Sequence, residues 1–185
     1  PVFYRQNRVG YLGKTFTFWK FRTMHVDNDA TGHQNYLSSL IHGDAPMLKL
    51  DADRDPRIIP CGRIIRQSCL DELPQFINVL LGDMSLVGPR PCLQYEADEY
   101  LAWHARRFDS VPGMTGLWQV NGKNKLTFKQ MIRFDIQYAR TMSPWLDVRI
   151  LMRTIPAIVK MVAEHLAGKR AARAERVISG APKRV

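Results

Sequence analysis

Residues 70–82 read LDELPQFINVLLG, and this stretch restricts the fold more tightly than any other. Apolar side chains recur at Leu73, Phe76, Ile77, Leu80 and Leu81, the spacing of one helical face. Pro74 lacks an N–H and fits only a first turn, while Gly82 is a natural stop. The pattern predicts a helix over 74–81 with Asp71 and Glu72 at its beginning. An acid pair there has two readings. In one, Ser68 and Asp71 are ordinary capping residues that satisfy the unpartnered backbone N–H groups of a first turn. In the other, the partial positive charge of the helix amino-terminus holds a carboxylate ionised. One acid then attacks phosphorus while its neighbour holds a divalent cation or a proton.

The rest of the chain reads as α+β, a mainly helical single domain. Its 185 residues, 45% of them hydrophobic, suit one domain with its own core. VFYRQ and KTFTFWKFRTM alternate with a two-residue period on either side of the turn-prone Gly10 to Gly13. This predicts an N-terminal β-hairpin with Lys20 near its end. Residues 25–55 are polar, with a short helical stretch near 33–41, and are expected to form a mobile or substrate-facing excursion. Prolines stiffen SLVGPRP (85–91) on both sides of Arg90. A helix is expected at 93–107, and a short strand at Trp118-Gln119-Val120 between turns at Pro112-Gly113 and Asn121-Gly122. Two amphipathic helices, 127–140 and 145–166, close the domain. In the second, Trp145, Val148, Leu151, Met152, Ile155, Val159, Val162 and Leu166 share a face bordered by Arg149, Arg153 and Lys160. That arrangement suits either a core helix with snorkelling cations or a helix lying in a lipid headgroup layer. Asp147 and Glu164 join those cations within 145–166, so no uncharged run long enough to span a bilayer is present.

A net charge of +10, from 27 basic and 17 acidic residues, points to a phosphate-bearing partner: nucleic acid, anionic lipid or a nucleotide. Residues 167–185 read as a flexible basic tail, either a solvated extension or a polybasic contact for membrane or nucleic acid. Cys61, Cys69 and Cys92 have no metal-ligand spacing and read as small core residues in a reducing compartment. The five histidines (25, 33, 42, 104 and 165) are scattered. No Walker loop, GxGxxG or HExxH occurs. Aromatic residues such as Phe16, Phe18, Trp19 and Trp118 are expected in the core rather than stacked on bases.

Cations surround the acid pair in sequence. Arg63 and Arg66 lie upstream, Arg90 is presented by its prolines, and Lys20 and Arg22 end the hairpin. Guanidinium forks and an ammonium charge are the groups that hold a diphosphate and neutralise charge as it moves. Asp135 is the anomaly. On the helix 127–140 it points among Phe128, Met131, Ile132 and Ala139, where an unpaired carboxylate costs several kcal/mol. It must therefore meet an arginine, a metal ion or a polar pocket, and a plain buried ion pair is one of those outcomes.

Taken in order, PVFYRQNRVGYLGKTFTFWKFRTM, DPRIIPCGRIIRQSCLDELPQFINVLLGDMSLVGPRP, VPGMTGLWQVNGKN, RFDIQYA and WLDVRIL resemble the bacterial sugar transferases, monotopic polyprenol-phosphate phosphoglycosyl transferases, over about residues 1–160. The resemblance implies a catalytic domain at 1–166, associated with the cytoplasmic face of the inner membrane. It implies transfer of a phosphosugar from a UDP-sugar to polyprenyl (undecaprenyl) phosphate, with release of UMP, as the first step of a surface glycan. Asp71 is then the nucleophile of an aspartyl-phosphosugar intermediate. Glu72 is its partner beside Mg2+, held by Asp71 and Glu72, and Lys20, Arg66, Arg90 and Asp135 are the substrate-binding set. Anionic membrane lipid is an expected partner and nucleic acid is not. Family members begin with a re-entrant membrane helix broken at a Ser-Pro; here Pro1-Val2-Phe3 stands where that helix would end, and truncation is the expectation. With the family in view, 145–166 is expected to lie at the interface. The sugar and the oligomeric state are not readable.

Overall fold

The computed structural model describes residues 1–26, 31–47, 55–122, 125–159 and 163. Strands β1 (Phe3–Val9) and β2 (Thr15–Phe21) form the expected antiparallel hairpin, with Phe3 opposite Phe21 and Val9 opposite Thr15. A tight turn at Tyr11–Gly13 joins them, with Leu12 and Gly13 both at positive φ. The helix expected near 33–41 is α1 (Thr31–His42). It packs into the main core, with Leu40 and Ile41 buried against Trp118, Phe128, Met131 and Ile132. The flanking residues 27–30 and 48–54 of that expectation lie outside the described residues.

Helix α2 (Gly62–Gln67) leads into a 3-10 turn at Leu70–Glu72 and then α3 (Gln75–Leu81). Gly82 ends α3 in the left-handed conformation that glycine adopts most easily. The helix is where the sequence put it, but it is turned outward. Gln75 and Asn78 are its buried residues, while Phe76, Ile77, Leu80 and Leu81 are exposed, Leu80 at 88%. Asn78 explains the orientation, because its amide donates to the Thr17 carbonyl at 2.7 Å and accepts from the Trp19 N–H at 3.2 Å. These are hydrogen bonds to β2 backbone groups that an apolar residue cannot supply.

Strand β3 (Ser85–Val87) runs parallel to β4 (Gly113–Thr115). The contact requires glycine on both sides: a Cβ on Gly113 would overlap the Gly88 nitrogen, and one on Gly88 would overlap the Val111 carbonyl oxygen. Gly113 is thus strand, not turn, and the strand expected at Trp118 is instead a short helix α5 (Leu117–Val120). The Trp118 indole drops into the main core beside Phe128, and Asn121 donates to the Leu117 carbonyl at 2.8 Å.

The helix expected at 93–107 is broken. Helix α4 (Gln94–Asp98) ends, and a separate 3-10 segment runs from His104 to Asp109. In one continuous helix Glu96 and Arg107 would stand about 16 Å apart along the axis. The break brings both charges to bear on Cys92. Helix α6 (Phe128–Thr141) agrees with the sequence and starts with a reciprocal cap between Thr127 and Gln130.

The last helix, α7, covers positions 144–159; 160–162 and 164–166 of the expected span lie outside the described residues. It docks through Ile150 and the half-buried Leu146 and Leu151 onto Val87 and Tyr138. The face on which the sequence placed Trp145, Val148, Met152, Ile155 and Val159 is exposed, not core. No disulfide forms; Cys92 is buried as expected, but Cys61 is exposed. No described helix is long and apolar enough to cross a membrane.

Candidate active site

Asp71 sits in the tight turn between α2 and α3. Cys69 enters it at φ +58°, and Glu72 and Leu73 donate their N–H groups to the carbonyls of Cys69 and Leu70. The three-residue period of this turn sends Leu70 and Leu73 outward on one side, and Asp71 lies inward, where it is 7% exposed. The capping reading fails here: neither the turn nor α3 has a side-chain cap. Ser68 instead donates to the Ile64 carbonyl at 2.8 Å.

Lys20, carried by β2, reaches across to both acids. Its Nζ lies 3.5 Å from Asp71 Oδ2 and donates to Glu72 Oε1 at 3.0 Å. Arg66 on α2 donates to Thr23 Oγ1 at 3.3 Å and is near enough for its charge to act on Asp71. Burial is the strongest influence on the Asp71 carboxyl and pushes its pKa up; Lys20 and Arg66 pull it down and Glu72 adds to the rise. Burial thus favours the neutral acid, and the side-chain cations Lys20 and Arg66 oppose it.

The oxygens of Asp71 and Glu72 converge on one cation position, since a single ammonium contacts both. Among the described residues no third acid, His or Cys joins them in a metal cluster. Two carboxylates suit Mg2+, which commonly takes one or two protein acids and completes its shell with phosphate oxygens and water.

Arg90 and Asp135 belong to a neighbouring group of charges. Asp135 is 1% exposed and paired with Arg107, itself 2% exposed, at 2.6 Å. The inward-pointing acid has therefore met an arginine, the ion-pair outcome, and is not brought beside Asp71. Burial raises the Asp135 carboxyl to about 6 against the pull of Arg107. The Arg90 side chain is exposed and its charge acts on Arg8, Tyr95 and Asp135. Phe18 links the two groups: Arg8 lies over its ring at 5.0 Å and Lys20 Nζ at 5.6 Å.

Sequence reasoning missed Arg8, Arg107 and Tyr100. Nothing in their local pattern distinguishes them from surface residues, and only burial does. A separate concavity of 710 Å³, between Trp103 and the Arg133 to Arg140 side of α6, includes none of Lys20, Arg66, Asp71 or Glu72. The site is instead a cluster of charge beside the outward apolar face of α3.

Comparison with known proteins gives the family. The bacterial sugar transferase family model matches residues 1–161. The chain is 42% identical over 160 residues to the galactosyl transferase CpsE of Streptococcus agalactiae serotype III (strain NEM316), covering 86% of this chain and 35% of that protein. It is 39% identical over 166 residues to the undecaprenyl-phosphate galactose phosphotransferase of Salmonella typhimurium, covering 86% of this chain and 34% of that one. The UDP-glucose:undecaprenyl-phosphate glucose-1-phosphate transferase of Caulobacter vibrioides is 39% identical over 167 residues, 86% of this chain and 57% of that protein. The chain thus spans about a third of the length of the first two relatives. On the match over nearly all its described residues, the chain belongs to the bacterial sugar transferase family.

Proposed function

We propose that this domain transfers a sugar 1-phosphate from a UDP-sugar to polyprenyl (undecaprenyl) phosphate, the opening step of an exopolysaccharide, capsule or O-antigen. The observation that carries the reading is a buried carboxylate, Asp71, held within 3.5 Å of Lys20 at the foot of an exposed apolar face formed by Leu70, Leu73, Phe76, Ile77, Leu80 and Leu81. A buried carboxylate beside a cation and an exposed apolar face supports the reading of a nucleophile for phosphorus next to a surface for a lipid chain.

An Asp71 oxygen attacks the sugar-bearing phosphorus, and the bond from that phosphorus to the bridging oxygen breaks, so UMP leaves with the bridging oxygen. A polyprenyl phosphate oxygen then attacks the same phosphorus, which frees the Asp71 carboxylate and leaves a polyprenyl-diphosphate sugar. Lys20 and Arg66 neutralise the phosphate oxygens as charge develops, and Arg90 meets the diphosphate from its proline-flanked loop. Asp71 and Glu72 would hold Mg2+, which supplies further charge neutralisation at the diphosphate. The exposed apolar residues of α3 and of α7, including Trp145, Met152, Ile155 and Val159, rest on the cytoplasmic face of the inner membrane with anionic lipid as partner. Nucleic acid is not an expected partner, because a nucleic-acid module would leave the Asp71-Glu72 pair without a role.

The test is UMP release by the full-length protein from a panel of UDP-sugars with Mg2+ and undecaprenyl phosphate. Release with at least one sugar, and loss of both turnover and a labelled protein adduct in Asp71→Asn, is the expected result. Sustained turnover by Asp71→Asn rejects the nucleophile. No release from any sugar, together with salt-dependent nucleic-acid binding, rejects the enzyme.

A further inference from the structure

Pro89-Arg90-Pro91 is a segment with almost no hydrogen-bond donors of its own, because neither proline carries an N–H. Its carbonyls are nonetheless all taken, each by a different element. The Gly113 N–H donates to the Pro89 carbonyl at 2.8 Å. Arg107 Nη2 donates to the Arg90 carbonyl at 2.7 Å, and Arg8 Nη1 donates to the Pro91 carbonyl at 3.1 Å. Immediately beyond, Val9 and Cys92 exchange backbone bonds at 2.9 and 3.3 Å. The loop is fastened carbonyl by carbonyl while the Arg90 side chain points to solvent.

Two of those donors are guanidinium groups that cannot reach a ligand. Arg107 is 2% exposed and Arg8 is 8% exposed. Arg107 also donates to Tyr100 Oη at 2.7 Å and pairs with the Asp135 carboxylate at 2.6 Å, while its buried Nε has no hydrogen-bond partner among the described residues. Arg8 is completed by Gln6 Oε1, at 3.1 Å from Nε and 2.9 Å from Nη2, and by the Phe18 ring. Buried ionic groups of this kind often add less stability than apolar residues of the same size. Their directional, multi-donor geometry does what an apolar residue cannot, which is to hold a carbonyl at one place and angle.

We propose that Arg107 and Arg8 are positioning residues: two buried guanidinium groups that clamp the Arg90 and Pro91 carbonyls and so aim the exposed Arg90 side chain at the substrate diphosphate. Asp135 and Tyr100 act one step further back, by fixing Arg107. The inference rests on the reading of Arg90 as a diphosphate ligand. It reassigns Asp135 from touching substrate to holding the residue that holds the loop. Arg8 also ties the loop to β2, because the ring it covers is the one that Lys20 overhangs.

The experiment uses the full-length protein, steady-state UMP release and amide hydrogen exchange. Arg107→Met with Asp135→Leu removes the buried pair together and leaves no unpaired ion, and Arg8→Met is the independent second variant. Each is expected to keep a cooperative thermal transition, to raise KM for the UDP-sugar tenfold or more, and to speed exchange at the Arg90 and Cys92 amides. Combined with Arg90→Ala, neither is expected to cause further loss in kcat/KM, because an unaimed side chain and an absent one are equivalent. Losses that multiply with that of Arg90→Ala overturn the proposal, as does wild-type kcat/KM in both clamp variants. Unchanged exchange at 90 and 92 overturns the clamp while leaving the Arg90 reading intact. An Arg90→Ala enzyme with wild-type kinetics overturns the Arg90 reading itself, and the aiming role with it.

Discussion

Gly113→Ala tests the contact on which the Arg90 loop and the second sheet both depend. The new Cβ would overlap the Gly88 nitrogen and lie 2.5 Å from the Val87 carbonyl carbon and 2.7 Å from Gly88 Cα. Every one of those atoms is backbone, so no side chain can swing away, and β3 and β4 must separate by about 1 Å to restore an ordinary carbon contact. Three of the backbone bonds at that gap are Ser85 N–H to Pro112 O at 2.8 Å, Gly88 N–H to Thr115 O at 2.9 Å, and Gly113 N–H to Pro89 O at 2.8 Å. At a net contribution of about 1 kcal/mol each, their loss destabilises by about 3 kcal/mol. For a chain of this size that is a fall in Tm of about 6 to 12 °C. The assay is thermal unfolding of Gly113→Ala beside Gly32→Ala. Gly32, near the start of α1, has nothing within 4 Å of a Cβ, so its replacement is expected to be neutral or to stabilise by up to about 1 kcal/mol. A Gly113→Ala protein that melts with the wild type would refute the close approach of β3 and β4 and, with it, the anchoring of Pro89.

Three further outcomes follow from the site and its surroundings. Lys20→Met removes the cation that contacts both acids; it is expected to lower kcat/KM by about a hundredfold with little change in Tm. Because the loss of that charge lets burial raise Asp71 further, the acid limb of the pH–rate profile should move to higher pH, and an unmoved limb contradicts the assignment. Leu80→Ser with Leu81→Ser alters side chains exposed at 88% and 68%, so Tm should hold while sedimentation with anionic phospholipid vesicles falls; undiminished sedimentation rejects α3 as a membrane face. Asp135 contributes to the pH dependence of stability. Its carboxyl is raised to about 6 in the fold, above its unfolded value near 4, so the folded state binds the proton more tightly. That contribution is full below about pH 4 and is lost as pH rises through about 6. The Tm of the wild type relative to Arg107→Met with Asp135→Leu should therefore fall between pH 4 and pH 6 and level off above. A rise over the same interval would mean that Arg107 outweighs burial.

Much of the site was legible because its signals are local. The prolines around Arg90, the Asp71-Glu72 pair before Pro74, the two-residue alternation ending at Lys20 and the 3.6-residue period of α6 all speak through neighbours in sequence. Where sequence reasoning failed, the deciding contact was remote. Helix α3 is turned over because Asn78 satisfies β2 backbone groups about sixty residues away, and the 93–107 helix breaks between Asp98 and His104, beyond which Arg107 is held by the remote Arg90 carbonyl and Asp135. Trp118 forms helix rather than strand because the core wants its indole, and Gly113 forms strand rather than turn because Gly88 lies against it.

The sequence by itself determined which chemistry was present: an acid pair, cations enough for a diphosphate, a stiff Arg90 loop and an acid at 135 that needed a partner. Only the tertiary structure decided which of these meet. It put Lys20 on Asp71 and Glu72, gave Asp135 to Arg107, and turned the apolar side of α3 outward. The physical reason is that periodicity reports how a residue is oriented within its own element, whereas the cost of burying a charge or a backbone group is settled by whatever the other elements bring to it.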